Sequence, residues 1–413
     1  MKHVAIIGGG VIGLSAALEC ARRGHRVSVI ERAPTQRGAS LGNAGMIVPS
    51  HFTPLAAPGM IALGAKWMWN PESPFYIKPR WSWDLLAWAA RFWKASTRER
   101  VDRAAPLLRD LHLASREAYA RLAEEEDFGL VKRGLLMLCK TARALEQEAQ
   151  MAAHARALGV PARVLDAKEA AALDPNVTMD IAGAVYFEQD CHCDPARYVA
   201  TLEQRLRAAG AELIYDAEVT GWHRDEARLA AVHTTRGEIA ADEFLLAGGA
   251  WSPALVAELG LRLPMQAGKG YSVTVPQPVE QPQLCSIFTE ARVAATPIGN
   301  TLRFGGTMEI AGMDKRINPR RVAGILRAIP EYFPRFRPEH FEGLQPWCGL
   351  RPCSPDGLPY LGRTRAAPNL VVATGHAMMG LSLAPVTGQL VGQIIDHETP
   401  RIDLKLLDVD RFA

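Results

Sequence analysis

The sequence predicts an α/β fold, a parallel sheet that carries a second domain of its own, and three observations predict it. Residues 2–32 read as strand, glycine turn, helix, strand and acid. Apolar strand-like runs return at 242–247 and 370–374, each running into small residues. Between them, residues 264–310 have β character after a largely helical stretch at 99–160.

The opening unit is the most informative. Residues 4–7 form a short apolar run suited to a buried parallel strand. Gly8, Gly10 and Gly13 then fall on G-x-G-x-x-G, and from Val11 and Ile12 onward the spacing is helical to residue 22. Gly8 makes the tight turn, Gly10 lets the backbone approach a pyrophosphate, and Gly13 lets helix and strand pack closely. The helix N-terminus offers N–H groups and partial positive charge to the phosphates. A second apolar run, 27–30, ends in Glu31 and Arg32. Glu31 can accept both ribose hydroxyls and would repel a 2′-phosphate, which disfavours NADP. The glycine pattern alone is weak; the complete βαβ unit is strong. Beyond it, Ser40, Gly42, Asn43, Ala44, Gly45 and Met46 crowd a loop able to run along a long nucleotide, which suggests FAD.

Composition bounds the rest. A chain of 413 residues suggests two or three domains, and 48% hydrophobic with 22% charged residues is ordinary for a globular protein. A net charge of +3 without basic runs excludes a nucleic-acid footprint. The N-terminus is needed as a strand and has no cleavage signature, so no signal peptide is expected. Residues 370–395 lack Asp, Glu, Lys and Arg, yet His376, Pro385, Gln389 and Gln393 make a strand, a turn and a buried helix the better reading. Seven cysteines form no regular framework, so reduced thiols in the cytosol are expected. Cys191, His192 and Cys193 lack the second close pair that a zinc shell needs, and no metal is expected.

Along the chain, residues 46–65 read as a Pro-, Ala- and Gly-rich loop. Six of the nine tryptophans lie between 67 and 93, where Trp81, Leu85, Trp88 and Phe92 have helical spacing. A core helix is the simpler reading; an amphipathic surface touching a membrane or partner is the functional one. Strands are expected at 131–138 and 183–188, and a helix at 166–176 ended by Asp174-Pro175. Asp194 as N-cap and Pro195 at the first helical position start the next helix. A strand follows at 212–215, then Val219 and alternating strands to 240. Ala247, Gly248 and Trp251 follow the strand at 242–247, where a second backbone approach to the nucleotide is expected. Residues 315–337 read as a basic helix and 347–362 as turn-rich. Gly375, His376, Met379, Gly380, Leu381 and Ser382 open the last helix.

With SLGNAG at 40–45, PLAAPG at 54–59, KWMW at 66–69, KGYS at 269–272, GLRPCSPDGLPYLG at 349–362 and GHAMMGLSLAP at 375–385, the chain resembles the D-amino-acid oxidase superfamily of FAD-dependent oxidoreductases. Within it, the closest resemblance is to bacterial D-amino-acid dehydrogenases of the small-subunit type, with D-hydroxyproline dehydrogenase a further relative. The resemblance covers nearly the whole length. It implies a doubly wound Rossmann-type FAD domain from residues 1–55, 180–262 and 340–413, and a mixed or antiparallel-sheet substrate domain from 56–179 and 263–339. It implies ADP on Gly8, Gly10, Gly13 and Glu31 with the adenine near Val219, and the flavin along the 40–45 loop and the Gly380 helix start. Arg351 is implied to pair with the substrate carboxylate, a task that suits its planar fork of donors. Tyr271 is the candidate for a second carboxylate contact, His376 is expected to face the flavin edge with a backbone-only role as the alternative, and His51 is a candidate to line the pocket. Some relatives attach FAD through a cysteine just before this arginine block; here Gly349 holds that position and Cys348 is one residue off, so non-covalent FAD is expected.

The chemistry implied is hydride transfer from Cα of a D-amino acid, including cyclic ones such as D-proline or cis-4-hydroxy-D-proline, to flavin N5 without a dedicated base. Electrons then pass to a quinone or other carrier. The alternatives are an oxygen-using oxidase of the glycine or sarcosine oxidase type and a non-redox or RNA-modifying flavoprotein. The cytoplasm is the expected location, at the inner face of the cell membrane if residues 67–93 make a peripheral contact.

Overall fold

The computed structural model describes residues 1–34, 38–67, 70 and 72–413. Met68 and Trp69 of the KWMW block, and residues 35–37 of the loop after Glu31, lie outside the described residues.

His3–Ile7 is the central strand of a six-stranded sheet. Arg26–Ile30 and Glu212–Ile214 lie to one side; Glu243–Leu246, Ala367–Thr374 and Tyr360–Thr364 lie to the other. All neighbours are parallel except the final hairpin pair. Alternation decides the two faces: Val4 and Ile6 enter one hydrophobic cluster, Ala5 and Ile7 another. The first face is covered by the helices Val11–Arg22, Pro195–Ala208 and Gly380–Ile395. The second is covered by a three-stranded antiparallel sheet, Val219–Asp225, Arg228–Thr234 and Gly237–Ala240, through Trp222, Leu229 and Val232. The last helix is apolar and long enough to cross a membrane, but it is mostly buried against the first helix and Arg98–Leu122.

The second sheet is mixed and nine-stranded, and it builds the other wall of the site. Its strands run in the order Trp347–Cys353, Gln266–Pro276, Thr301–Ile310, Val293–Ile298, Cys285–Phe288, Leu135–Cys139, Gly183–Phe187 and Arg163–Asp166, with Phe75–Ile77 pairing beside Thr301–Ile310. The helix Pro319–Tyr332 packs an aromatic cluster on it, where Phe288 and Tyr332 stack at 4.4 Å. Thus the expected α/β chain with a mixed second sheet is what forms.

Local differences have physical causes. Trp347–Cys353 is a regular strand, not a turn-rich segment, because its prolines and glycines lie where cross-strand pairing tolerates them. It and Gly183–Phe187 belong to the nine-stranded sheet, so both lie across the expected domain boundaries. Met60–Trp67 is a helix that begins inside the stretch read as loop and runs past its end. The aromatic helix starts later than its spacing suggested, at Trp83, because Ser82 caps it by accepting the Leu85 N–H at 3.3 Å. Asp194 does cap Pro195–Ala208, accepting from Ala196 and Arg197.

Candidate active site

The glycine turn has the shape of a cradle. Gly8 has φ +111°, and a Cβ there would collide with the Ala247 carbonyl. A Cβ on Gly13 would collide with the Gly8 carbonyl, so Gly13 closes helix onto turn and does not itself line the cavity. At Gly10 the nearest atom to a Cβ would be Ser40 Oγ at 3.6 Å, leaving that side open. Glu31 sits at the strand end with its carboxylate accepting the Gly9 N–H at 2.9 Å and the Ala33 N–H at 3.0 Å. Ser40 accepts the Val11 N–H at 3.0 Å and ties the following loop to the helix start.

One cavity of about 1140 Å³ runs from this cradle to the nine-stranded sheet. It exceeds the roughly 300–1,000 Å³ of a drug-sized ligand site. Gly8, Gly10, Val11, Ile12, Glu31, Arg32, Val219, Ala247, Gly248 and Trp251 line it on the parallel-sheet side, and Ser40, Asn43, Ala44, Gly45 and Met46 along the loop. Gly349, Arg351, Tyr271, His376, Met379, Gly380, Leu381 and His51 line the rest. Gly375 and Ser382 do not. Gly375 holds a turn at φ +79°, and Ser382 Oγ accepts the Val48 N–H at 2.9 Å and meets His112 Nδ1 at 2.8 Å. They fix the start of the Gly380–Ile395 helix, whose N-terminal positive end then faces the cavity.

Several residues that shape the cavity escaped the sequence reading. Arg303 donates to the Leu41 and Asn43 carbonyls at 3.1 and 2.9 Å, and Ser272 Oγ donates to the Gly42 carbonyl at 2.7 Å. These bonds pin the 40–45 loop to the second sheet. The Trp347 ring fits between Gly42 and Gly349, where a Cβ on either would strike it. Trp251 lies between the Arg32 guanidinium at 3.8 Å and Lys315 Nζ at 4.9 Å. The glycines were the available signal, since each marks a close neighbour, but they do not name it.

The second-sheet end carries the charge. Arg351 lies flat across the neighbouring strand because Gly270 has no side chain; a Cβ there would collide with the guanidinium. Its Nη1 donates to the Thr307 carbonyl at 2.5 Å. Thr307 has φ +66°, a strained conformation for a β-branched residue, and this turns its carbonyl toward Arg351. Among the described residues Arg351 has no carboxylate in ion-pair reach, and burial disfavours its cation. A half-buried fork of donors with no counter-charge among the described residues has the shape to take a carboxylate.

Tyr271 is paired within the second sheet. Its hydroxyl is buried and donates to Glu309 Oε2 at 2.5 Å, with Lys269 Nζ 3.7 Å from that same carboxylate oxygen. That bond uses its one proton in this structure, while the residue lines the cavity as expected. His376 bonds to Thr387 Oγ1 at 3.1 Å, and burial holds its pKa down to about 3, so it stays neutral. His51 lines the cavity with Nδ1 2.9 Å from Ser50 Oγ. Cys191, His192 and Cys193 are buried beside Met46–Ile47, and no group of three metal-ligating side chains occurs among the described residues.

The site therefore joins a strand-end carboxylate, a close-approach glycine turn, a long cavity and a guanidinium on the side of the nine-stranded sheet. Comparison with known proteins agrees with it. The family model described as DAO, FAD dependent oxidoreductase, matches residues 3–394. The D-amino acid dehydrogenase of Agrobacterium fabrum is 32% identical over 100% of both chains. That of Cereibacter sphaeroides is 33% identical over 100% of this chain and 95% of its own. Among solved structures, glycine oxidase from Geobacillus kaustophilus superposes with a TM-score of 0.81 at 28% identity over 100% of both chains.

Proposed function

Because this chain belongs to the DAO family of FAD dependent oxidoreductases, we propose that it oxidises D-amino acids and passes the electrons to a quinone or another carrier. The observation that carries the reading is Arg351, a half-buried guanidinium without a counter-charge among the described residues, in the same cavity as the glycine cradle and Glu31. Bound FAD supplies the two-electron acceptor for the hydride that leaves the substrate α-carbon. Arg351 binds the carboxylate through two parallel N–H donors and so fixes which way the α-carbon faces. The N-terminal end of Gly380–Ile395, which lines the cavity, would offer positive potential to the negative charge that a bound flavin gains on reduction. The apolar wall of Leu55, Phe75 and Met308 keeps water from the reacting carbon. The imino acid product then hydrolyses to an oxo acid, while a cyclic substrate such as D-proline or cis-4-hydroxy-D-proline leaves as a cyclic imine. No cysteine is among the described residues lining the cavity, and Cys348 Sγ faces the Lys315 carbonyl at 2.9 Å, which supports FAD held without a covalent bond.

The carrier reading also draws on the aromatic helix Trp83–Ala95. Leu85 and Trp88 pack beneath it on Met308, Ile310, Cys353 and Ala377, next to the cavity. Trp83 and Trp93 are 87% and 70% exposed on its outer face, beside Trp81 at 98%. This apolar face with Lys94 and Arg98 nearby suits a peripheral contact with the inner membrane surface, close to a quinone. The likeness to a glycine oxidase favours a second reading, in which oxygen is the acceptor.

Anaerobic mixing of the yellow holoenzyme with D-amino acids, D-proline and cis-4-hydroxy-D-proline, with L-isomers as controls, tests the reading. The expected result is bleaching of the flavin band by D-isomers alone and slow return of colour in air. Rapid return with peroxide would favour the oxidase, and no bleaching by any amino acid would refute the proposal.

A further inference from the structure

The carboxylate clamp leaves a second polar chain in the cavity wall unused. Ser50 and His51 follow the short strand Met46–Ile47. Ser50 Oγ donates to Asp190 Oδ2 at 2.5 Å, and the Ser50 N–H donates to Asp190 Oδ1 at 3.0 Å. The same Ser50 Oγ lies 2.9 Å from His51 Nδ1. Asp190 is 1% exposed and has no cation in ion-pair reach among the described residues.

The order of donors fixes the tautomer. A serine hydroxyl has one proton. With that proton on the ionised Asp190, Ser50 Oγ accepts from His51 Nδ1–H, and His51 Nε2 keeps its lone pair. Nε2 has no hydrogen-bond partner among the described residues, and His51 lines the cavity. Oxidation by hydride loss requires the neutral amine, so the proton of the substrate ammonium must leave first. Resting on the amino-acid reading above, and departing from the expectation that no dedicated base is needed, we propose that His51 takes this proton and relays it through Ser50 to Asp190.

The step balances. The ammonium N–H bond breaks as His51 Nε2–H forms, His51 Nδ1–H passes to Ser50 Oγ, and the Ser50 O–H passes to Asp190 Oδ2. No group is oxidised or reduced. His51 is the group that meets the substrate; Ser50 and Asp190 are positioning residues that act through it.

The electrostatics are consistent with this direction. Burial, eased by the two Ser50 hydrogen bonds, pushes Asp190 up to about 7, while burial and Arg292 hold His51 down to about 4. His51 is thus a conduit and Asp190 the store. Arg292 and His112 face His51; Arg116, Cys191 and Cys285 face Asp190. His112 is neutral, held down to about 3, and burial keeps both thiols protonated.

Stopped-flow flavin reduction of the holoenzyme, across pH, with D-alanine and with D-proline as probes, tests the relay. The wild type should show an acidic limb near neutrality that is the same for both amines. Ser50→Ala and Asp190→Asn should remove that limb and lower the rate above it by roughly 10²-fold, the usual share of a positioned proton acceptor. Ser50→Thr, which keeps the hydroxyl, should restore the wild-type profile. If Asp190→Asn fails to hold FAD, the Ser50→Ala and Ser50→Thr pair decides. A limb that follows each amine's own pKa and survives in Ser50→Ala overturns the relay. A wild type bleached by no amino acid refutes the amino-acid reading instead, so the two failures are distinguishable.

Discussion

At the scale of single residues, the substrate end rests on one absence: Gly270 has no side chain, and Arg351 occupies the space. Gly270→Ala should therefore displace the guanidinium and leave the FAD cradle intact. The expected result is a protein that stays yellow but whose half-saturating substrate concentration rises about 10–100-fold, matching the roughly 1.5–3 kcal/mol of a charge-assisted hydrogen bond. Arg351→Lys should lose a comparable amount, since a point charge replaces the fork. Equal flavin reduction by both variants and the wild type at low substrate would contradict the assignment. The glycine turn and the Glu31 strand end were legible in the sequence, because they depend on residue type and local spacing, whereas Arg351 was pointed to only by the family resemblance. The pairing of Tyr271 with Glu309 was not legible, because it joins adjacent strands across a bulge at Lys269 and Tyr271. Nor was the Asp190–Ser50 contact, formed between residues 140 positions apart.

At the scale of elements, strands and helices with strong periodicity were legible and those governed by tertiary pairing were not. The Trp347–Cys353 segment is rich in turn residues yet forms a strand, because seven consecutive residues of Gln266–Pro276 pair with it. Conversely, the aromatic helix 83–95 divides its tryptophans between the core and the surface, which its spacing alone did not apportion. Trp88 is 3% exposed and faces the cavity wall, whereas Trp83 and Trp93 face outward. Replacing Trp81, Trp83 and Trp93 together with Ser should leave D-amino-acid-dependent bleaching unchanged, since none of the three belongs to the inward cluster. It should also lower co-sedimentation with anionic phospholipid vesicles about tenfold or more, at the usual weight of interfacial aromatic burial. Unaltered co-sedimentation would sink the membrane contact.

At the scale of the whole molecule, buried titratable groups make stability depend on pH in two opposite ways. Burial holds His112 and His376 down to about 3, and His192 to about 4, all below the ordinary value of 6.5. The folded state then binds fewer protons than the unfolded state, so their stabilisation is complete above pH 6.5 and is lost as pH falls toward those values. Asp190, raised from 3.8 to about 7, works the other way: its contribution is complete below its ordinary value and is lost as pH rises through neutrality. The thermal midpoint should thus fall between about pH 6 and pH 4, and Asp190→Asn should raise it more in mild alkali than in mild acid. A midpoint flat below neutrality would show that the imidazoles are not buried in solution.

The placement of His3–Ile7 between Arg26–Ile30 and Glu243–Leu246 also bears on how the protein is made. One flank of this apolar strand is covered almost as soon as it leaves the ribosome, but the other waits for more than 200 further residues. At about 5–20 residues per second, that is an interval of tens of seconds with an open strand edge. The helix Gly380–Ile395, which closes the cavity, emerges later still. During synthesis the unfinished first unit is therefore the part of the chain whose open strand edge most needs protection.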